Sequence, residues 1–379
     1  MLSLIKLLSA SLALPLIQAV SAFDASSNSN VAVYWGQNSA GTQGRLRTYC
    51  DDNSIDIFLL SFLNDFPATP LGLNFANACG NTFPDGLLNC DQIAEDITYC
   101  QSKGKKVLLS LGGQAGTYGF TSDAQATAFA ATLWNTFGEG TASERPFGTA
   151  VVDGFDLDIE NKNPTGYTAL VDALRTTYFP KGTKQYYISA APQCPYPDAS
   201  LSDVLANAYI DFVFVQFYNN YCSLAGTLFN WNTWANYAAS VSPNKNVKIY
   251  VGLAGSSSAA GSGYVDVATV RSTVNSIGSS SAFGGVLIWD ASQAQANNNF
   301  AASMKSILLA NAKPSSTVTY KSAQITSNPG KDVTSIATFT TVNPDPSYFT
   351  STNSDGHAVV YHYNTIYQTT WSTVYVTEA

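Results

Sequence analysis

Asp156, Asp158 and Glu160 alternate with apolar residues in the run Asp153-Gly154-Phe155-Asp156-Leu157-Asp158-Ile159-Glu160. In an extended strand alternate side chains share a face, so the three acids line one side and Phe155, Leu157 and Ile159 the other. An apolar outer face is what a strand needs when helices cover it. Carboxyls this close cannot all ionise without strong repulsion. At least one should therefore keep its proton near neutral pH, the state a general acid needs. Two other uses fit less well. An exposed acidic edge would not require so apolar an opposite face, and hard-cation sites draw their oxygen ligands from several turns rather than one flat face.

The residues missing from the chain narrow the chemistry further. His357 and His362 are its only histidines and both lie near the C-terminal end. A Ser-His-Asp or Cys-His nucleophile within the main body is therefore excluded, as is a histidine-based metal site. Six cysteines, Cys50, Cys79, Cys90, Cys100, Cys194 and Cys222, fit three disulfides in an oxidising compartment, with a pairing that spacing alone leaves open. No Cys-x-x-Cys or Cys/His cluster points to zinc, and no metal or cofactor is implied.

The elements around the acids alternate. Eight short β-branched or aromatic runs are predicted as strands: Val31 to Trp35, Ile55 to Phe62, Lys106 to Leu111, Phe155 to Glu160, Tyr186 to Ala191, Phe212 to Tyr218, Val247 to Leu253 and Gly284 to Asp290. Amphipathic patterns at Asp91 to Ser102, Asp123 to Phe137, Gly166 to Phe179, Trp231 to Ser240, Val265 to Ile277 and Asn299 to Ala312 predict helices between and after them. Eight such units predict an α/β fold of the closed (β/α)8 TIM-barrel type, for which ~250 residues are typical. A doubly wound nucleotide-binding sheet lacks its glycine-rich phosphate loop: Gly112-Gly113 and Gly252 follow strands without the required spacing. They read instead as tight turns that let a ligand approach the backbone.

The chain has 379 residues, 45 % of them apolar and 12 % aromatic, enough for one large core. Eighteen basic against 26 acidic residues give a net charge of -8, which would repel nucleic acid and anionic lipid. Charged residues make up only 12 %, and the Ser, Thr, Asn, Gly and Tyr in their place suit neutral, hydroxyl-rich partners. Residues 1–22 read as a secretion signal, with Lys6 ahead of an apolar stretch that closes on Val20-Ser21-Ala22. Pro15 and Gln18 interrupt that stretch, which is shorter than the ~18 to 20 apolar residues of a membrane span. A main domain is expected over residues 23–312. From Lys313 onward 23 of 67 residues are Ser or Thr, a linker or O-glycosylated stalk by composition. Alternation over Tyr361 to Thr377 would allow a small strand pair there.

Barrel enzymes carry their chemistry where the strands end. Those ends hold Tyr34-Trp35-Gly36-Gln37-Asn38, Ser110-Leu111-Gly112-Gly113, Glu160, Gln216-Phe217-Tyr218-Asn219 and Trp289. Around one rim they would make a groove with aromatic walls and amide and hydroxyl donors, a mixture suited to sugar rings. Residues 153–160 resemble the complete DGxDxDxE signature of glycoside hydrolase family 18, and Ser110-Leu111-Gly112-Gly113 is similar to that family's SxGG motif. Val33-Tyr34-Trp35-Gly36-Gln37-Asn38 resembles the plant-type class III chitinases and their secreted fungal relatives.

The resemblance, which covers about residues 28–312, implies endo-hydrolysis of β-1,4-linked N-acetylglucosamine polymers with retained anomeric configuration. Glu160 would protonate the leaving oxygen while the substrate's acetamido oxygen attacks the anomeric carbon. Asp158 would orient the acetamido N–H, Asp156 would share a proton with Asp158, and Tyr218 would hydrogen-bond the acetamido group. Tyr34, Gln37, Gly113, Gln216 and Trp289 are the expected sugar contacts, with Trp289 the floor under the distorted ring. The implied disulfides are Cys50–Cys100, Cys79–Cys90 and Cys194–Cys222. Roughly thirty residues separate the seventh and eighth strands, too few for an inserted domain, so a shallow, open cleft is expected. The implied partner is chitin or chito-oligosaccharide, and the implied state a secreted monomer at the cell wall. Barrels of this family also serve as non-hydrolysing lectins or inhibitors, and the Ser/Thr-rich tail fits a structural wall protein. The acid at position 160 favours the enzyme.

Overall fold

The computed structural model describes residues 23–312, together with two short strands nearer the C-terminus. The chain divides into two units, residues 1–313 and 314–379. In the first, eight parallel strands close into a barrel: β1 (Asn30–Trp35), β2 (Ile57–Phe66), β3 (Lys106–Gly113), β4 (Gly154–Ile159), β5 (Tyr187–Ala190), β6 (Phe212–Gln216), β7 (Lys248–Ala254) and β8 (Phe283–Trp289). Each pairs with its sequence neighbours, and β1 pairs with both β2 and β8, which closes the ring.

Alternation decides which side chains go inside. Ala32, Tyr34, Ile57, Leu59, Leu108, Phe214, Tyr250 and Leu287 fill the barrel, whereas Val31, Val33, Phe58, Val107, Phe155, Leu157 and Ile159 face the helix layer. That layer contains α1 (Leu46–Cys50), α2 (Asp91–Ser102), α3 (Asp123–Phe137), α4 (Tyr167–Ala173), α5 (Ser202–Asn207), α6 (Trp231–Asn236), α7 (Val267–Ile277), α8 (Ala291–Ala296) and α9 (Phe300–Asn311). The predicted helices over Gly166 to Phe179 and Trp231 to Ser240 are each shorter. Both pass into a π-helical turn, at Leu174–Tyr178 and Tyr237–Val241. Strand β2 runs beyond its predicted end, because Gly72–Leu73 and Thr117–Tyr118 pair with its outer residues.

The bottom of the barrel repeats one device on alternate strands. Asp56, Asp153 and Asp211, each at or just before the start of an even-numbered strand, accept the backbone N–H of Val31, Val107 and Ile188 at 2.7, 2.9 and 2.8 Å. Each is also paired with a cation: Lys305 at 2.8 Å, Lys184 at 2.9 Å and Arg175 at 2.6 Å. Charge-assisted bonds of this kind fix strand register at the end away from the mouth.

The three disulfides are Cys50–Cys100, Cys79–Cys90 and Cys194–Cys222, the pairing the family resemblance implies. In the second unit, Tyr348–Thr352 pairs antiparallel with Ala358–His362. The pair expected over Tyr361 to Thr377 shares only Tyr361 and His362 with it. The rest of that stretch, the expected leader and residues 313–347 lie outside the described residues.

Candidate active site

Strand β4 delivers the three acids to one side, as alternation requires, and its neighbours fix each one separately. Asp156 is fully buried and accepts three hydroxyl hydrogen bonds, from Tyr34 at 2.9 Å, Ser110 at 2.7 Å and Ser189 at 2.7 Å. Burial raises its carboxyl above 3.8, and the bonds from Ser189, Ser110 and Tyr34 pull it back.

Asp158 sits one pleat nearer the mouth, hydrogen-bonded to Glu160 and to Gln216 Nε2 at 3.1 Å. Burial, then the charges of Glu160 and Asp156, hold its carboxyl well above the ordinary range. Glu160, at the rim, is also raised by burial, but hydrogen bonds from Gln216, Gln193 and Asp158 oppose that shift. Three hydroxyl donors thus oppose protonation of Asp156, while Asp158 and Glu160 are both held above the ordinary carboxyl range.

The two glycines of the SxGG segment make room for this arrangement. Gly112, at φ +105°, lets β3 pass so close to the Asp158 carbonyl that a Cβ would collide with it. Gly113, at φ +86°, leaves space for the Phe62 ring, which would lie 2.9 Å from a Cβ there. Phe62 in turn stacks on Trp289 with centroids 5.9 Å apart, and Tyr34 meets Trp289 edge-on at 5.3 Å. Tyr218 completes the wall. Burial and the nearby Asp158 and Glu160 push its phenol well above 10, so it remains a hydrogen-bond donor.

The model described as Glycosyl hydrolases family 18 matches residues 30–263, more than half of the chain. The chain belongs to glycosyl hydrolase family 18. It is 66 % identical over 284 residues to the endochitinase of Saccharomyces cerevisiae, covering 74 % of this chain and 50 % of that protein. The chain thus spans about half the length of the relatives it matches. Among solved structures, the chitinase from Ipomoea carnea superposes with a TM-score of 0.66 at 31 % identity, covering 73 % of this chain and 99 % of that one. A xylanase and α-amylase inhibitor from Scadoxus multiflorus superposes with a TM-score of 0.62 at 32 % identity, over 74 % and 98 % of the two chains.

Within this family 18 barrel the expected site residues do not all stand at the surface of the groove. Asp156, Asp158, Glu160, Gln216 and Tyr218 come together. Tyr34, expected to touch sugar, is 1 % exposed, and its hydroxyl is committed to Asp156, so it supports the acids from below. Gln37 spends its amide hydrogens on the carbonyls of Ser61 at 2.9 Å and Asn74 at 3.0 Å, tying β1 to β2 at the rim. Trp289 is half-buried at the mouth.

Four further residues escape the sequence reading. Ser189 binds Asp156 from β5. Tyr118 donates to the Gly113 carbonyl at 2.6 Å and accepts the Glu160 N–H at 3.0 Å. Gln193 donates to Glu160 at 3.4 Å, and Asp198 caps the loop after β5 by accepting the N–H groups of Gln193, Ser200 and Leu201. Only Ser189 carried a signal, since it projects to the inner face of its strand.

Proposed function

We propose that the chain hydrolyses β-1,4 bonds between N-acetylglucosamine units within chitin, with retained configuration. The observation that carries this reading is the placement of Asp158 and Glu160 together at the end of β4, with Gln216 donating to Asp158 at 3.1 Å, Gln193 donating to Glu160 at 3.4 Å and Tyr218 close to both. A sugar bound over Trp289 brings its acetamido N–H to Asp158. That donor stabilises ionised Asp158, so the shared proton passes to Glu160. Glu160 then protonates the glycosidic oxygen as the acetamido oxygen bonds to the anomeric carbon and the C–O bond to the leaving sugar breaks. The oxazolinium ion so formed is opened by a water whose proton returns to Glu160. Tyr218 holds the acetamido oxygen in line for attack.

The names of the yeast relative and the Ipomoea structure support chitin as substrate. Endo-cleavage fits an open rim without an inserted domain. Secretion before Phe23, a catalytic barrel over residues 23–312 and a stalk beyond complete the proposal, with the mature monomer acting at the cell wall. Likeness to an inhibitor favours a binding role as the second reading, and the two diverge at position 160. Glu160→Gln keeps shape and hydrogen bonding but has no proton to give. It is expected to lower turnover of chito-oligosaccharides by roughly a hundred- to ten-thousandfold with binding retained. Turnover near that of the unaltered protein would refute the role of Glu160, and binding without turnover in both proteins would favour the second reading.

A further inference from the structure

Gln193 follows β5 and directly precedes Cys194, whose disulfide with Cys222 ties the loop after β5 to the loop after β6. Its backbone is fixed from both sides: its N–H donates to Asp198 at 3.0 Å, and the carbonyl of the preceding Pro192 accepts the Gln216 N–H at 2.8 Å, which bridges this loop in parallel to the end of β6. Its side chain lies between two partners, with Nε2–H donating to Glu160 Oε2 at 3.4 Å and Oε1 accepting from Asn220 Nδ2 at 3.1 Å.

The direction of this chain of amides is set at its far end. Asn220 Nδ2 also reaches the Tyr218 carbonyl at 3.4 Å, and a carbonyl can only accept. The Asn220 NH2 must therefore face Tyr218 and Gln193, the Gln193 oxygen must face Asn220, and the Gln193 NH2 must face Glu160. We infer that Gln193 is a positioning residue for Glu160, held by Asn220 so that it always presents a donor to the carboxylate that Glu160 becomes once its proton has left. The inference rests on the hydrolytic reading above.

The donor matters because negative charge appears on Glu160 as the C–O bond breaks, and a fixed N–H aimed at that charge gains strength along the way. The other groups facing Glu160 are Asp158, Asp198, the phenols of Tyr118 and Tyr218, and the amide of Gln216. None of these is a cation, so amide donors carry the stabilisation. Without Gln193 the carboxyl keeps its proton to higher pH and gives it up less readily.

The test compares Gln193→Ala and Asn220→Ala with the unaltered full chain, measuring initial rates on a soluble chito-oligosaccharide across pH. Thermal unfolding and the carboxyl 13C NMR titration of Glu160, assigned with Glu160→Gln, are followed alongside. For Gln193→Ala, kcat is expected to fall roughly tenfold with KM within about twofold, as for loss of one hydrogen bond to a charged group. The alkaline limb and the Glu160 titration should both move to higher pH, and Asn220→Ala should move them the same way by less. An unchanged kcat and limb in Gln193→Ala, or a limb displaced to lower pH, overturns the inference. If Gln193→Ala does not fold, the Glu160 titration in Asn220→Ala decides, an unmoved value counting against. If the unaltered chain itself shows no turnover, the hydrolytic reading fails, while the titrations still report on the amide chain.

Discussion

The Tyr118 hydroxyl accepts the backbone N–H of Glu160 at 3.0 Å while donating to the Gly113 carbonyl at 2.6 Å. One phenol thus links the residue after β4 to the end of β3, across the rim where the two strands part. Its ring is stacked on Phe66 with centroids 5.4 Å apart, which keeps the hydroxyl in place. The backbone of the candidate acid is held by a side chain far from it in sequence.

Tyr118→Phe should retain the stack and lose the link. Stability should fall by about 2 kcal/mol, the usual net worth of the two hydrogen bonds lost. Turnover should fall as well, by roughly three- to tenfold, with little change in KM, because small displacements of an acid are costly. Steady-state kinetics together with thermal unfolding would check this, and a rise in KM with kcat intact would contradict it.

Five buried or mostly buried carboxyls, Asp156, Asp158, Glu160, Asp198 and Asp211, are raised above their ordinary values. A raised carboxyl binds protons in the folded chain at pH values where the unfolded chain has released them. Its contribution is therefore complete below about pH 4 and is lost as pH rises through the raised value, at about 1.4 kcal/mol per pH unit for each proton involved. The barrel should lose stability from mildly acidic pH upward. Asp158→Asn should flatten that slope and cost turnover more than affinity. Calorimetry across pH would test it, an equally steep decline in the variant being the adverse result.

Asp153 opens the signature run, yet it lies at the opposite end of β4 from Glu160. Asp153→Ala removes the ion pair of Lys184, leaving its ammonium only the Val151 carbonyl and solvent, and leaves the Val107 N–H without its acceptor. With Lys184 partly exposed, a loss of about 3 kcal/mol is expected. Denaturant titration should show it, while kcat of the folded fraction should stay within about twofold. A selective collapse of kcat with stability intact would show that the residue acts on the chemistry instead.

The barrel and its acids are legible in the sequence because both depend on period: alternation sends Asp156, Asp158 and Glu160 inward and Phe155, Leu157 and Ile159 outward. The residues that hold the acids are not legible in this way. Gln193 and Asn220 sit in loops and Tyr118 in a two-residue strand, where no period can show; Tyr118 and Gln193 meet Glu160, and Asn220 meets Gln193, only after closure of the ring. Helices α1, α5 and α8 are only five or six residues long, too short to display an amphipathic repeat. Tyr34 is misjudged for a different reason. Its position at a strand end is right, but a phenol can serve a sugar or a buried carboxylate equally well, and only the distance to Asp156 decides.

The paired aspartates at the floor of the barrel have a consequence for how such proteins can vary. Asp153 and Glu160 are seven residues apart on an extended strand, roughly 20 Å. Strand alignment is thus secured far from the loops at the barrel mouth. Segments following β2, β5 and β6 could be lengthened, shortened or exchanged between homologues without disturbing the register, while Lys305, Lys184 and Arg175 keep the staves in step.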